Sequence, residues 1–244
     1  MGHGLASINI FSAGAAQSVV AGIVPDFQAV HGCEIHATYG GVQTLKARFL
    51  AGEQADVIVL TDALIDELEV ASLILTGSSQ NLGAVGTGVA VRAGTVCPDV
   101  SSLPGLRTTL LGCSRIICPD PAATTAGGVL IAVLRRLDLD EQLRPLLDFH
   151  PSGHHAMARL AAGTGEGEIG VVQMTEIMAN ASVALAGPLP QAVQHLAVYA
   201  VGQAKHASNP TLARAFIRQL TDQRAILQAA GFSQGQKLAS QSTV

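Results

Sequence analysis

Three times in this chain a short apolar run breaks into a turn of small residues and restarts as an amphipathic stretch. "INIF" precedes "SAGAAQ" and the helical spacing of Val20, Ile23, Val24, Phe27 and Val30, "DVIVL" precedes "TDALIDELEV", and "RIIC" precedes "PDPAATTAGGVL". Such short runs bury both faces most readily in a parallel sheet, which needs a crossover helix after each strand to return the chain. The pattern therefore predicts an α/β fold with mostly parallel sheets flanked by helices. "EIHATY" alternates as a further strand, "TLKARFLAGE" reads as a helix closed by Gly52, and Pro25 is expected to kink or split the first helix. Thr61 or Asp62 is placed to cap the helix after "DVIVL". After "DLDEQLRPLL" and "DFHPSG" the stretch "HHAMARLAAG" reads as a helix leading to the strand "GEIGVV".

A chain of 244 residues exceeds what one small core needs. Two long extended segments, "NLGAVGTGVAVRAG" and "QHLAVYAVGQ", are of the kind that carries chain from one lobe to another. The expected division is residues 5–80 with 190–244 in one lobe and 81–189 in the other, with crossings near Leu82 to Thr87 and Pro188 to Leu196. The end of the chain reads as helical, with Asn209 as cap, Pro210 at the first helical position and an apolar face of Leu212, Phe216, Ile217 and Leu220. The last twelve or so residues, rich in Gln and Ser, are expected to fray.

Composition narrows the function. Hydrophobic residues make up 48% and charged ones 13%, enough apolar surface for a substantial core. The net charge is -4 and no run of Lys or Arg occurs, which argues against nucleic acid or an anionic membrane surface as partner. Aromatics are 3% and Trp is absent, so neither a sugar-stacking cleft nor a base-stacking platform is expected. No apolar run reaches the ~18 residues that a membrane span requires. Cys33, Cys97, Cys113 and Cys118 match no zinc or redox spacing and read as buried free thiols. "MGHGLAS" has neither a basic start nor a long apolar stretch, so the cytoplasm is the expected location, or the periplasm if a leader was trimmed. A monomer is expected.

Four strand-to-helix turns share small and hydroxylated residues. They supply Ser12, Gly14 and Ala15; Tyr39, Gly41 and Val42; Thr61; and Thr124, Thr125 and Ala126. In an open α/β sheet ligands sit at the carboxyl ends of strands, where helix starts offer free N–H groups and the positive end of the helix dipole. Small side chains let a ligand approach the backbone, and the hydroxyls add donors, so these turns suit a small anion. Each turn taken singly is equally an ordinary cap.

Other chemistries lack their signatures. "GAVGTG" does not have the G-x-G-x-x-G order and no G-x-x-x-x-G-K-[ST] occurs, so no phosphate cofactor is expected. His150, His154 and His155 are interrupted by Pro151 and Gly153 and no acidic residue stands at zinc-like spacing, so no metal is expected. No G-x-S-x-G elbow is present. His36 reads as structural, Asp62 as a cap, Asp120 as a turn former and Arg92 as solvated or packing the lobe. No general acid–base pair can be assigned from these positions.

The order of "INIFSAGA", "YGGVQTL", "FLAGEQADVIVLTDALIDEL", "GTGVAVRAG", "PDPAATTAGGVL", "GEGEIGVVQMTEI", "GPLP" and "ARAFIRQL" resembles the type II periplasmic solute-binding proteins of the molybdate-binding-protein-like group, across roughly residues 7 to 232. The resemblance implies two α/β lobes closing on a small anion by a hinge. Molybdate binders of this group use a serine in the first loop, another in the second and a tyrosine after the late strand. The corresponding positions here are Ala15, Gly41 or Val42, and Gln173, so three hydroxyls are replaced. The chain is similar to a divergent branch that includes aconitate isomerase, which implies a carboxylate ligand with Ser12, Thr124, Thr125 and Gln173 among its donors. A solute-binding protein for a small organic anion is the expected function, with an ABC permease as partner if the chain is exported. An isomerase moving a proton along an unsaturated tricarboxylate is the alternative, with Tyr39, Asp62 or His36 as base.

Overall fold

The computed structural model describes residues 5–233, so the tail expected to fray lies almost wholly outside the described residues. The chain begins with β1 (Ala6–Ala13), α1 (Gln17–His31), β2 (Cys33–Gly40), α2 (Val42–Leu50), β3 (Val57–Thr61) and α3 (Asp62–Val70). The long strand β4 (Gln80–Arg92) follows, then α4 (Leu103–Gly112), β5 (Arg115–Pro119), α5 (Thr125–Arg136), α6 (Asp140–Leu143) and β6 (Leu147–His150). The last elements are α7 (Gly153–Ala162), β7 (Glu168–Gln173), α8 (Met174–Met178), β8 (Val183–Pro188), β9 (Leu196–Gln203), α9 (Pro210–Asp222) and α10 (Arg224–Ala229).

The strands pair in the order β2-β1-β3-β9-β4-β7-β5-β6, with β8 on β4. The outer ladders, β1 with β2 and β3, and β5 with β6 and β7, are parallel, as the alternating pattern predicts. The centre is antiparallel, because β4 and β9 run against their neighbours. Within β4 the partner changes at Gly86/Thr87: residues Gln80 to Gly86 face β9, and Thr87 to Ala90 face β7. Buried side chains divide at the same place. Leu82 and Val85 belong to the cluster around β1, β3 and α9, whereas Val89 and Val91 belong to that around β5, α4 and α5.

Several local expectations are corrected. Pro25 neither splits nor ends α1, which runs unbroken to His31. Pro25 and Ala21, whose carbonyl loses its helical partner, both lie on the exposed face, open to solvent. Leu147–His150, which the sequence pattern does not mark as a strand, forms the edge strand β6 against β5. Thr61 occupies the cap position of α3 without a side-chain bond, while Asp62 Oδ1 accepts from the Ala63 N–H at 2.8 Å. All four cysteines are free, but Cys97 is exposed; the other three are buried, and burial pushes the Cys118 thiol up to about 12. Arg92 packs within its own half, donating to Glu168 Oε2 at 2.8 Å.

Candidate functional site

Helix starts from both halves of the sheet meet around one small cavity of about 20 Å³, room for one or two water-sized groups. Ala13, Gly14 and Ala15 reach it from the end of β1, and Gly40, Gly41 and Val42 from the start of α2. Thr124, Thr125 and Ala126 face them from the start of α5, joined by Ser152, Gln173, Glu176 and Tyr199. The halves touch around this space. The Gln43 N–H donates to the Ala123 carbonyl at 3.1 Å, and His154 Nε2 meets the Gly14 carbonyl at 3.0 Å. A Cβ on Gly41 would lie 2.5 Å from the Ala123 oxygen, so only glycine permits this approach of the two turns.

The hydroxyl-bearing residues divide by role. Thr124 caps α5: its Oγ1 accepts from the Gly127 N–H at 3.2 Å and donates to the Asp120 carbonyl at 2.8 Å. Its hydroxyl proton is thus committed within the turn. Thr125 and Ala126 stand in the first turn of α5, where an N–H has no carbonyl of its own helix to meet. Ser12 is fully buried, and its Oγ donates to the adjacent Ala13 carbonyl at 3.2 Å. Gly14, Ala15, Gly41, Val42, Thr124, Thr125, Ala126 and Gln173 are brought together at the cavity, whereas Ser12, Tyr39 and Thr61 are not part of its wall. Tyr39 lines an adjoining groove of about 450 Å³, with Thr44, Asp120, Phe149, His150 and His155, that meets the cavity at Gly40, Gly41 and Ser152.

Four residues matter here that the turns did not reveal. Tyr199 is buried on β9, and its hydroxyl accepts from Gln173 Nε2 at 3.4 Å. Burial, with the Glu176 carboxylate nearby, pushes its phenol well above the usual range. Glu176 is 4% exposed. Burial raises its carboxyl to about 7 against the opposing pull of the Gln173 and Gly153 N–H groups. Ser152 caps α7 and its Oγ lies 2.8 Å from His155 Nδ1. His154 is held below its ordinary value by burial, despite the bond to Gly14. The signal for Glu176 was present as a capping-box spacing, Gln173 to Glu176. Tyr199 had none, because its place depends on β9 pairing with β3 and β4.

Among the described residues, Gln173 Oε1 is buried without a hydrogen-bond partner, and Gln173 is 3% exposed. An amide can turn to present its oxygen or its NH₂ to a ligand, so this side chain is an adaptable contact. Among the described residues no Lys or Arg lines the cavity. An anion held here would be met by N–H dipoles, hydroxyls and an amide. A larger surface cavity, about 490 Å³, lies elsewhere, between α4 and the start of β7. Its acidic side chains are already engaged, Asp99 by Ser101 and Glu168 by Arg92 and Arg159, and its walls come from one half of the sheet.

This architecture is that of the type II periplasmic binding proteins of the molybdate-binding kind. The periplasmic molybdate-binding protein of Azotobacter vinelandii shares the fold with a TM-score of 0.77, at 20% identity over 94% of this chain and 100% of that one. The chain belongs to the bacterial extracellular solute-binding protein family, whose profile matches residues 8–233. Molybdate-binding protein ModA of Mycobacterium tuberculosis is 28% identical over 244 residues, covering 95% of this chain and 86% of that protein. An aconitate isomerase of Pseudomonas sp is 22% identical over 229 residues, covering 90% of this chain and 84% of the relative. Among the described residues no helix is long and apolar enough to cross a membrane.

Proposed function

We propose that this solute-binding protein closes over a small organic anion by holding one carboxylate group in the cavity between the halves of the sheet, the rest of the ligand extending into the adjoining groove. The observation that carries the reading is the convergence of first-turn N–H groups from both halves with the buried amide of Gln173. Ala15, Gly41 or Val42, and Gln173 stand where a molybdate binder is expected to present hydroxyls, which favours a planar carboxylate over a tetrahedral oxyanion. The lobes in this reading are residues 5–80 with 190–244, and 81–189. They hinge near Leu82 to Thr87 and Pro188 to Leu196, and the change of partner within β4 supports the first of these. A membrane permease of the ABC type is the partner such a receptor implies. Titration calorimetry with acetate, succinate, citrate, propane-1,2,3-tricarboxylate, molybdate and sulfate tests the ligand class. A carboxylate binding more tightly than millimolar is expected; binding of molybdate or sulfate alone overturns it.

One observation favours a second reading, an isomerase acting on an unsaturated tricarboxylate. Glu176 lines the cavity with a proton affinity near neutrality, suited to general base work, whereas His36 and Asp62 lie outside it. The carboxylate would take a proton from a carbon beside the double bond, the double bond would shift, and the resulting acid would return the proton two carbons away. Incubation with cis-aconitate followed by chromatography decides; absence of the trans isomer removes this reading.

A further inference from the structure

Glu176 occupies the position at the start of α7 that suits an anion. Its Oε2 accepts from the Gln173 N–H at 3.3 Å, and a Cβ on Gly153, the first residue of α7, would overlap that oxygen. Its Oε1 points across to the other half, where a Cβ on Gly14 would lie 2.5 Å away. The carboxyl is therefore wedged between the two halves in the wall of the cavity, beside Thr125, Gln173 and Tyr199.

Among the described residues no cation is placed to neutralise it. The titratable residues on the elements packed against α8, and on β9, are His154, His155 and Arg159 of α7, Arg92 of β4, Glu168 of β7 and Tyr199 of β9; β8 has none. His154 turns its Nε2 to Gly14, His155 is engaged by Ser152, and both arginines are bonded to Glu168. Tyr199 is itself an acid. An anionic ligand would thus share a buried space with a carboxylate and no counter-charge, an arrangement in which one of two acids keeps its proton.

We propose that an anion enters this cavity together with one proton carried on Glu176, whose acid form donates to the ligand in place of a hydroxyl absent from the turns. The inference rests on the cavity being the ligand site and deepens that reading. Burial already raises Glu176 to about 7, so the proton is in place at lower pH and must be taken up on binding at higher pH. The isomerase reading needs the same group ionised in the complex, so the two differ in the charge they assign to it.

The test is calorimetry of the full chain with propane-1,2,3-tricarboxylate, which has no double bond to shift, and with molybdate, between pH 7.5 and 9 in buffers of different ionisation enthalpy. The expected dissociation constant rises about tenfold per pH unit, with about one proton taken up per ligand. E176Q should show neither effect, and H154Q should keep both. Tight binding at constant affinity without proton uptake overturns the inference and leaves the carboxylate reading standing. Loss of the pH dependence in H154Q, or its retention in E176Q, also overturns it. Proton-coupled binding of molybdate alone sinks the carboxylate reading and upholds the proton, and binding of neither probe overturns both. If E176Q does not fold, the proton count of the wild type and the H154Q slope still decide.

Discussion

His154 Nε2 donates to the carbonyl oxygen of Gly14 at 3.0 Å, joining the start of α7 to the turn after β1 across 140 residues of sequence. The bond requires the Nε2–H tautomer when the ring is neutral, and burial favours that neutral ring. Because the folded-state value is depressed, the stability it contributes is present above the ordinary histidine value of 6.5 and is lost as pH falls through the lowered one. H154Q should cost about 1 kcal/mol at pH 8 in urea unfolding. It should also unfold less steeply than the wild type as pH drops below 6.5.

Glu176 has the opposite sign. Its folded value is raised from 4.5 to about 7, so its stabilising protonated state is fully populated below 4.5 and the contribution is lost as pH rises to about 7. The shift corresponds to about 3 kcal/mol. Ligand-free E176Q should therefore match the wild type near pH 4.5 and melt higher at pH 8, as thermal unfolding at the two pH values would show.

Gly41 tests closure separately from folding. A Cβ there would lie 2.5 Å from the Ala123 oxygen, and that neighbour is backbone, which yields little. G41A should leave the ligand-free melting temperature within a few degrees, weaken carboxylate binding about tenfold or more, and reduce the compaction that ligand causes in X-ray scattering.

The two threonines of the α5 turn should separate. Thr124 spends its hydroxyl on the cap and the Asp120 carbonyl, so T124V should cost about 1 kcal/mol of stability. Thr125 lies at the cavity with its hydroxyl bonded to the buried Tyr199 phenol, so T125V should cost about 1 kcal/mol of stability and, unlike T124V, diminish the thermal shift produced by ligand. Melting curves of both variants with and without propane-1,2,3-tricarboxylate check this.

Much of the cavity was legible because its parts are local. The turns at Gly14 and Thr125 follow short apolar runs and the turn at Gly41 follows the alternating "EIHATY", patterns that read as strands, and each opens a helix with small residues. The turn at Thr61 has the same pattern, yet it is absent from the cavity wall; Thr61 instead sits opposite Tyr199 in the ladder. Ser152 was hidden because Leu147–His150, the strand before it, is short, lies at an edge and carries Asp148 and His150. Its alternation was too brief to read.

Periodicity and turn chemistry along the chain therefore determined the α/β class, the helix starts and the small residues that bare their N–H groups, since these depend on neighbours a few positions apart. Tertiary structure alone decided that β9 inserts between β3 and β4, carrying Tyr199 to Gln173, and that α7 lays His154 against Gly14. Those contacts depend on strand order and register between segments far apart in sequence, and Glu176 acquires its proton affinity only from the burial they create.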